Sequence, residues 1–278
     1  MILAADVSNV YISLGCIGNR GTYFTSRFAT ISNKTEDEYA IDFLRTLELN
    51  GVPREKLEGC IISSVVPPMN FVLTRAMEII TGKTPLLIGP GVKNGLNIRI
   101  ENPSQLGSNL VVDAVAALDR YQAPMVIFDM GTSTTASVID REGRYIGGFI
   151  SPGVRISLEA GASGTAQLPR VGLEAPETVI GRNTVHCLQS GAVYGTAGMI
   201  DGMITRIAEE LGEPEEALTV IATGGALEKT ITACCEHPII FDDQLVLHGL
   251  WLIWLKNQGS HSSGRQSGKT RQNTKDNR

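Results

Sequence analysis

Residues 2–7 read Ile2-Leu3-Ala4-Ala5-Asp6-Val7, and residues 125–129 read Met125-Val126-Ile127-Phe128-Asp129. Both are short apolar runs that end at or next to an aspartate, which is typical of a buried strand. The alternating segments Tyr11–Ile17 and Thr134–Asp140 follow them and indicate antiparallel hairpin partners. The sequence therefore predicts two halves that begin alike.

Helices and further short strands fill the rest of the chain. Thr35 and Glu38 have the spacing of a capping box, so a helix should begin near Thr35. Helical periodicity predicts further helices over 70–80, 105–121, 153–167, 184–211, 226–235 and 245–257. Short apolar runs predict strands over 60–66, 85–88 and 218–222. This order predicts an α/β fold with mixed sheets flanked by helices.

We expect an N-terminal domain over residues 1–121 and a C-terminal domain over 122–258. Residues 259–278 contain Ser, Gly, Gln, Asn and basic side chains with no apolar position. Such a segment cannot bury enough surface to offset its ordering entropy. It is predicted to be a disordered basic tail.

Composition excludes several classes of protein. The 278 residues are 42% apolar, which is enough for a substantial core. Formal net charge is -5, of which the tail carries +4, leaving -9 for the body. A body of that charge is not expected to bind nucleic acid.

The sequence has no apolar run of 18 residues and no signal-peptide pattern at its start. A cytoplasmic protein without a membrane partner is therefore expected. The five cysteines are scattered without Cys-x-x-Cys spacing, so neither a disulfide framework nor a zinc site is indicated.

Two tight turns follow the strands that contain the aspartates. They read Asp6-Val7-Ser8-Asn9-Val10 and Asp129-Met130-Gly131-Thr132-Ser133-Thr134-Thr135. A carboxylate beside turn amides is a common way to hold phosphate and its counter-ion. The alternatives are an Asx-type turn for the first and a hydroxyl-rich hairpin for the second. Gly224-Gly225 is a third candidate, with a helix-entry turn as its alternative.

Together these motifs, the loop at 107–110 and its flanks closely resemble a type III pantothenate kinase, of the actin-like ATPase superfamily. The resemblance spans about residues 2–257. It implies two actin-like (ribonuclease H-like) domains in tandem and a homodimer. It also implies ATP-dependent phosphorylation of pantothenate to 4'-phosphopantothenate, the first step of coenzyme A biosynthesis.

The resemblance also implies site residues and cofactors. Asp129 would hold a monovalent cation, potassium or ammonium, and magnesium would arrive with ATP. Nucleotide contacts are implied for Asp6, Ser8, Asn9, Val10, Thr132, Gly224 and Gly225. Contacts with pantothenate are implied for Ile100, Gly107, Ser108, Leu110 and Thr184.

The loop Gly107-Ser108-Asn109-Leu110 departs from the family pattern, which reads Gly-Ala-Asp-Arg. The family aspartate is taken as the base that deprotonates the pantothenate hydroxyl, and Asn109 cannot accept that proton. A positioned base contributes roughly 10²- to 10⁴-fold in rate. Leu110 also removes a cation that could bind the substrate carboxylate.

Other positions depart from the pattern as well. Ser8 and Val10 replace a glycine and a threonine of the first turn, so a weaker grip on phosphate is expected. Ile100 replaces an aromatic residue on the acceptor side.

Asp113 offers a speculative substitute for the missing base. It lies four residues after Asn109, on the same helix face about 6 Å along. The family usually has asparagine there. The alternative is a solvated carboxylate on an exposed helix face.

Three functions stay open. The first is a pantothenate kinase, with catalysis impaired at residue 109. The second is a catalytically disabled paralogue that acts as a nucleotide-binding or regulatory protein, favoured by several departures that gather on one site. The third is a kinase with a less charged acceptor, which the apolar Ile100 and Leu110 would suit.

Overall fold

The computed structural model describes residues 1–258, except for the side chains of 226–228, and it contains two mixed β-sheets. The predicted tail at 259–278 lies outside the described residues. The first sheet has the order β3-β2-β1-β4-β5, with β1 Ile2–Val7, β2 Tyr11–Gly18, β3 Gly21–Ala29, β4 Gly59–Ser64 and β5 Leu86–Leu87. The second has the order β11-β10-β7-β8-β9-β6, with β6 Asn97–Ile98, β7 Met125–Met130, β8 Ser133–Ile139, β9 Arg144–Pro152, β10 Thr219–Thr223 and β11 Ile240–Phe241.

The two sheets repeat one arrangement. β1 pairs antiparallel with β2 and parallel with β4, and β7 pairs in the same way with β8 and β10. Both predicted hairpins are confirmed, because Ile2 lies opposite Ile17 and Met125 lies opposite Ile139. The α/β class with mixed sheets is therefore confirmed.

Seven α-helices of the described chain flank these sheets. They are α1 Glu36–Leu49, α2 Pro67–Thr81, α3 Ser108–Arg120, α4 Val154–Gly164, α5 Thr184–Leu211, α6 Ala226–Thr232 and α7 Leu245–Gln258. The capping box of α1 is confirmed: Thr35 Oγ1 accepts from Glu38 N at 3.3 Å, and Glu38 Oε2 accepts from Thr35 N at 2.8 Å. No helix within residues 1–258 is long and apolar enough to cross a membrane.

α3 lies between the two sheets. Its Val111, Val112 and Val115 pack in one core cluster with side chains of β1, β4 and α7. Its Ala114 and Ala117 pack in another cluster with side chains of β7, β8 and β9. α3 thus has a buried face toward each sheet, and its first turn is held where the sheets come together.

α7 follows the second sheet in the chain but packs with α3 against the first sheet. A Cβ atom added at Gly249 would lie 2.1 Å from the Val112 carbonyl oxygen, so the two helix backbones approach closely there. The division into two domains at 121/122 stays a prediction. α7 belongs by sequence to the second predicted domain but packs on the sheet of the first.

Replacement of Gly249 by alanine should lower the free energy of unfolding by about 1–3 kcal/mol, because the added methyl group must push α7 away from α3. The measurement is urea unfolding, followed by circular dichroism.

Gly161→Ala in α4 is the matched control, since a Cβ there has no atom within 4 Å. It should raise the free energy of unfolding by up to about 1 kcal/mol through the better helix propensity of alanine. Equal effects of the two substitutions would contradict the close approach.

Candidate active site

The strand-end aspartates of the two sheets lie at the first turn of α3. Asp6 is the register partner of Ser63 on β4, and Asp129 is the register partner of Thr223 on β10. Asp6 and Asp129 are close enough to influence each other electrostatically. The structure therefore brings the two predicted turns to one junction.

Asn109 reaches Asp129 directly. Its Nδ2 donates a hydrogen bond to Asp129 Oδ2 at 2.8 Å. A Cβ atom at Gly107 would lie 2.7 Å from Asn109 Oδ1, so glycine at 107 leaves room for the amide. The residue at the altered base position is thus a hydrogen-bond donor to the predicted cation ligand. Leu110 follows it and is half-buried.

Ser108 fastens the same turn to β4. Its Oγ donates to the Ser64 carbonyl oxygen at 3.0 Å and accepts from Ser64 N and Ser63 Oγ, both at 3.1 Å. One hydroxyl has one proton to donate and two lone pairs to accept with. All three are used here.

Burial raises the pKa of the Asp6 carboxyl from 3.8 to about 7. A hydrogen bond from Ser63 lowers that pKa in part, and the charge of Asp129 raises it. The physical cause is the removal of water from a carboxylate that has a second acid nearby. The junction therefore disfavours the ionised form of Asp6 unless a positive charge lies beside it.

Asp113 is buried one helical turn below Asn109, with 2% of its surface exposed. The alternative of a solvated carboxylate is wrong, because α3 is covered at this face by protein. Burial, and then the charges of Asp129, Asp6 and Asp242, raise the pKa of Asp113 well above 3.8. Its Oδ1 has no hydrogen-bond partner among the described residues. A neutral carboxylic acid is the form that this environment favours.

We call the two turns that are predicted to hold phosphate, at 6–10 and 129–135, the first and second phosphate turns. The first is closed by its own hydrogen bonds. Ser8 Oγ donates to the Tyr11 carbonyl oxygen at 2.9 Å and accepts from Tyr11 N at 3.2 Å. Asn9 and Val10 are exposed at the tip. The serine hydroxyl thus stabilises the turn itself, while Asn9 is free to face a ligand.

The second phosphate turn depends on close backbone contacts. Gly131 N donates to the Ser133 carbonyl oxygen at 2.9 Å, and Gly153 N donates to the Thr132 carbonyl oxygen at 3.0 Å. A Cβ atom at Gly153 would lie 2.3 Å from Gly131 O, so only glycine fits. The half-buried Thr132 is therefore held by its backbone and not by its side chain.

Gly224 and Gly225 lie at the same sheet edge as Asp129, because they follow β10 directly. Gly224 has a φ of 142°, a backbone conformation that residues other than glycine rarely adopt. The pair directly precedes α6. This position is compatible with both alternatives, a helix-entry turn and a ligand contact.

Two predicted residues lie on segments other than the strand ends and the α3 turn that form the junction. Ile100 packs against the core cluster that contains Tyr145 and Ile127. Thr184 is exposed at the first position of α5, which Asn183 caps by accepting from His186 N at 2.9 Å. Neither residue lies on α3 or on the strands that carry Asp6 and Asp129.

Sequence reasoning missed Ser63 and Ser64. Both close the apolar strand β4, and Ser63 is fully buried beside Asp6. The sequence does place two hydroxyl side chains at the end of a buried strand. Such hydroxyls could have been expected to face the aspartate at the end of a neighbouring strand. Within residues 1–258, no group of three or more His, Cys, Asp or Glu side chains is placed to hold a metal ion.

Comparison of the fold with solved structures supports the predicted actin-like class. A conserved protein from Campylobacter jejuni, assigned to the Baf family of transcriptional activators, matches with a TM-score of 0.53 and 17% identity over 93% of this chain and 100% of that one. Component A of (R)-2-hydroxyglutaryl-CoA dehydratase from Acidaminococcus fermentans matches with a TM-score of 0.51 and 13% identity over 91% of this chain and 95% of that one. At these identities the likeness concerns the fold alone, and it confirms the tandem actin-like architecture.

Comparison of the sequence is more specific. A type III pantothenate kinase from Exiguobacterium sp. strain AT1b is 43% identical over 258 residues, which cover 93% of this chain and 100% of the relative. A second, from Exiguobacterium sibiricum, is 42% identical over 261 residues, with the same coverage of both chains. The sequence profile of type III pantothenate kinase matches residues 2–206. The chain therefore belongs to the type III pantothenate kinase family, a family of kinases.

Proposed function

We propose that this protein transfers a phosphoryl group from ATP to pantothenate, and that its chemical step is slowed at residue 109. The observation that carries the proposal is the junction of Asp6, Asp129 and the first turn of α3. This junction lies in a chain that is 43% identical to a named pantothenate kinase over nearly its whole length. Catalysis of such a transfer consists mainly of positioning and charge compensation. A cytoplasmic location stays a prediction from the sequence.

ATP is proposed to lie across the two phosphate turns. The exposed Asn9 would contact its phosphates from the first turn, and Thr132 from the second. Gly224 and Gly225 would allow the nucleotide to approach the backbone at the end of β10. Ser8 contributes the shape of its turn, since its hydroxyl is already bonded to Tyr11.

The two aspartates fit cations that arrive with the nucleotide. Magnesium is usually held by one or two carboxylates together with substrate phosphates, and Asp6 and Asp129 are two such groups. When bound, the cations would neutralise charge on the transferring phosphoryl group. The raised pKa of Asp6 is the physical reason for the fit, because a cation relieves the repulsion that burial intensifies.

Asn109 reduces the need for a cation beside Asp129. A carboxylate in its place would put two negative oxygens about 3 Å apart unless a cation lay between them. The amide instead donates to Asp129 at 2.8 Å. The proposed potassium or ammonium ion at Asp129 is therefore needed less in this chain than the family pattern implies.

Asp113 stays our proposed substitute base. Its raised pKa makes its ionised form a stronger proton acceptor than an ordinary carboxylate, while burial disfavours that form. Both features agree with a slow chemical step.

A homodimer is proposed from the apolar side chains around the start of α5. Val179 is 64% exposed, Ile180 is 80% exposed and Val185 is 42% exposed. Adjacent apolar side chains of this size usually mark a contact surface. Thr184 lies among them, so its proposed substrate contact would belong to the assembled dimer.

A disabled paralogue that binds nucleotide without turnover is the second candidate. It is favoured by the hydrogen bond between Asn109 and Asp129, which occupies both side chains without supplying a base.

The assay that separates these candidates is ATP consumption with pantothenate, magnesium and potassium. The natural protein should be slow but active, and Asn109→Asp with Leu110→Arg should raise kcat by roughly 10²- to 10⁴-fold through restoration of a base and a cation.

The same pair should be combined with Asp113→Asn, which removes the extra carboxyl. Comparable rates in the natural protein and in both restored variants would overturn impaired catalysis. Turnover in the restored variants alone would establish the disabled paralogue, and an assay without pantothenate is the control.

Cation dependence gives a test that needs no turnover. The melting temperature of Asn109→Asp should rise when potassium replaces tetramethylammonium at constant ionic strength, because the new carboxylate needs a cation beside Asp129. The natural protein should respond much less. Equal responses would show that the amide does not substitute for a cation.

Asp6→Asn should stabilise the fold while it weakens nucleotide binding. The pKa of Asp6 is higher in the folded protein, about 7, than its ordinary 3.8, so ionised Asp6 costs stability progressively from about pH 4 to pH 7. The variant should therefore unfold at higher urea concentration at about pH 8, with little gain at about pH 4.

Calorimetric titration with magnesium and ATP at the higher pH should show reduced affinity for Asp6→Asn. Glu48→Gln removes an exposed carboxyl at the end of α1 and serves as the control. A loss of stability in Asp6→Asn, or unchanged affinity, would contradict the assignment.

A further inference from the structure

The hydroxyl of Ser108, for which the resemblance implies a substrate contact, is engaged by the chain itself. Its proton and both lone pairs are used in bonds to Ser63 and Ser64, at 3.0–3.1 Å.

The first turn of α3 depends on such bonds. Its N-cap, Gly107, has no side chain to accept from the helix amides. Ser108 bonds the turn to β4, and Asn109 bonds it to β7 at 2.8 Å. The turn is thus tied to the end of β4, which is the neighbour of β1 in the first sheet, and to the end of β7 in the second.

Ser63 extends this link to Asp6. Its hydroxyl donates to Ser108 Oγ at 3.1 Å, and Ser63 is also the register partner of Asp6 on β1, whose pKa its hydroxyl lowers. A hydroxyl has one proton, so Ser63 can donate either to Asp6 or to Ser108. A cation at Asp6 would compete for the carboxylate electrons and leave the Ser63 proton to Ser108. Magnesium and ATP on the Asp6 side would then tighten the first turn of α3.

We propose that Ser108 is a positioning residue that fastens the first turn of α3 to β4 and couples nucleotide binding at Asp6 to the acceptor loop. The coupling rests on the proposed function, because it assumes that the nucleotide lies at Asp6. The fastening does not, since it follows from the three bonds alone.

The test compares Ser108→Ala with Ser64→Ala. Ser64 stands at the same strand end, but its hydroxyl accepts from Val66 N at 3.1 Å and donates to Val66 O at 3.3 Å, without touching α3. Both variants lose one hydroxyl and its hydrogen bonds. They differ in whether the bonds hold α3.

Amide hydrogen exchange of peptides over 107–113 is the first readout, measured with and without magnesium and ATP. Ser108→Ala should speed this exchange about tenfold, as expected for the loss of bonds worth about 1.4 kcal/mol. In the natural protein, nucleotide should slow exchange at 107–113. That slowing should be lost in Ser108→Ala and Ser63→Ala and kept in Ser64→Ala.

Kinetics with pantothenate are the second readout. Ser108→Ala should raise the KM for pantothenate about tenfold, with a smaller change in the KM for ATP, and Ser64→Ala should change neither. Unchanged exchange in Ser108→Ala, or an equal change in Ser64→Ala, would overturn the fastening role. Faster exchange that still slows with nucleotide would overturn the coupling. An absence of pantothenate turnover in every variant would count against the proposed function and leave the exchange result decisive for the fastening.

Discussion

The burial of α3 on two sides is the constraint on which the site depends. One face packs against the first sheet and α7, and another packs against the second sheet. A helix confined in this way cannot rotate or slide without opening cavities or forcing overlaps. The position of its first turn is therefore set by packing along its whole length, including the close approach of Gly249 to Val112. Short hydrogen bonds to the strand ends then act on a helix that is already in place.

Three acidic side chains lie close together at this junction. Asp6, Asp113 and Asp129 influence one another, and burial raises the pKa of Asp6 and Asp113. Asn109 contacts this group through an uncharged amide, which donates a hydrogen bond to Asp129. The same surroundings that destabilise ionised carboxyls prepare the junction for cations and for a phosphoryl group.

Local features of the fold were readable from the sequence, and long-range ones were not. The two strands that carry Asp6 and Asp129, their hairpins and the capping box at Thr35 depend on neighbouring residues, and all were predicted. β6 and β11 have two residues each, too few for a periodic pattern. The packing of α7 on the first sheet joins distant parts of the chain. For the same reason, the burial of Asp113 could not be inferred.

The exchange of amide and carboxyl within α3, relative to the family pattern, limits how this sequence can evolve. Asn109→Asp alone adds a fourth carboxyl to a group whose acids already disfavour ionisation. Asp113→Asn alone removes the acid that remains on this face of the helix. A carboxyl is therefore added at 109 at lower cost once the acid at 113 is gone, so the effects of the two substitutions are not additive. Of the two orders of change, Asp113→Asn followed by Asn109→Asp never places four carboxyls in this group.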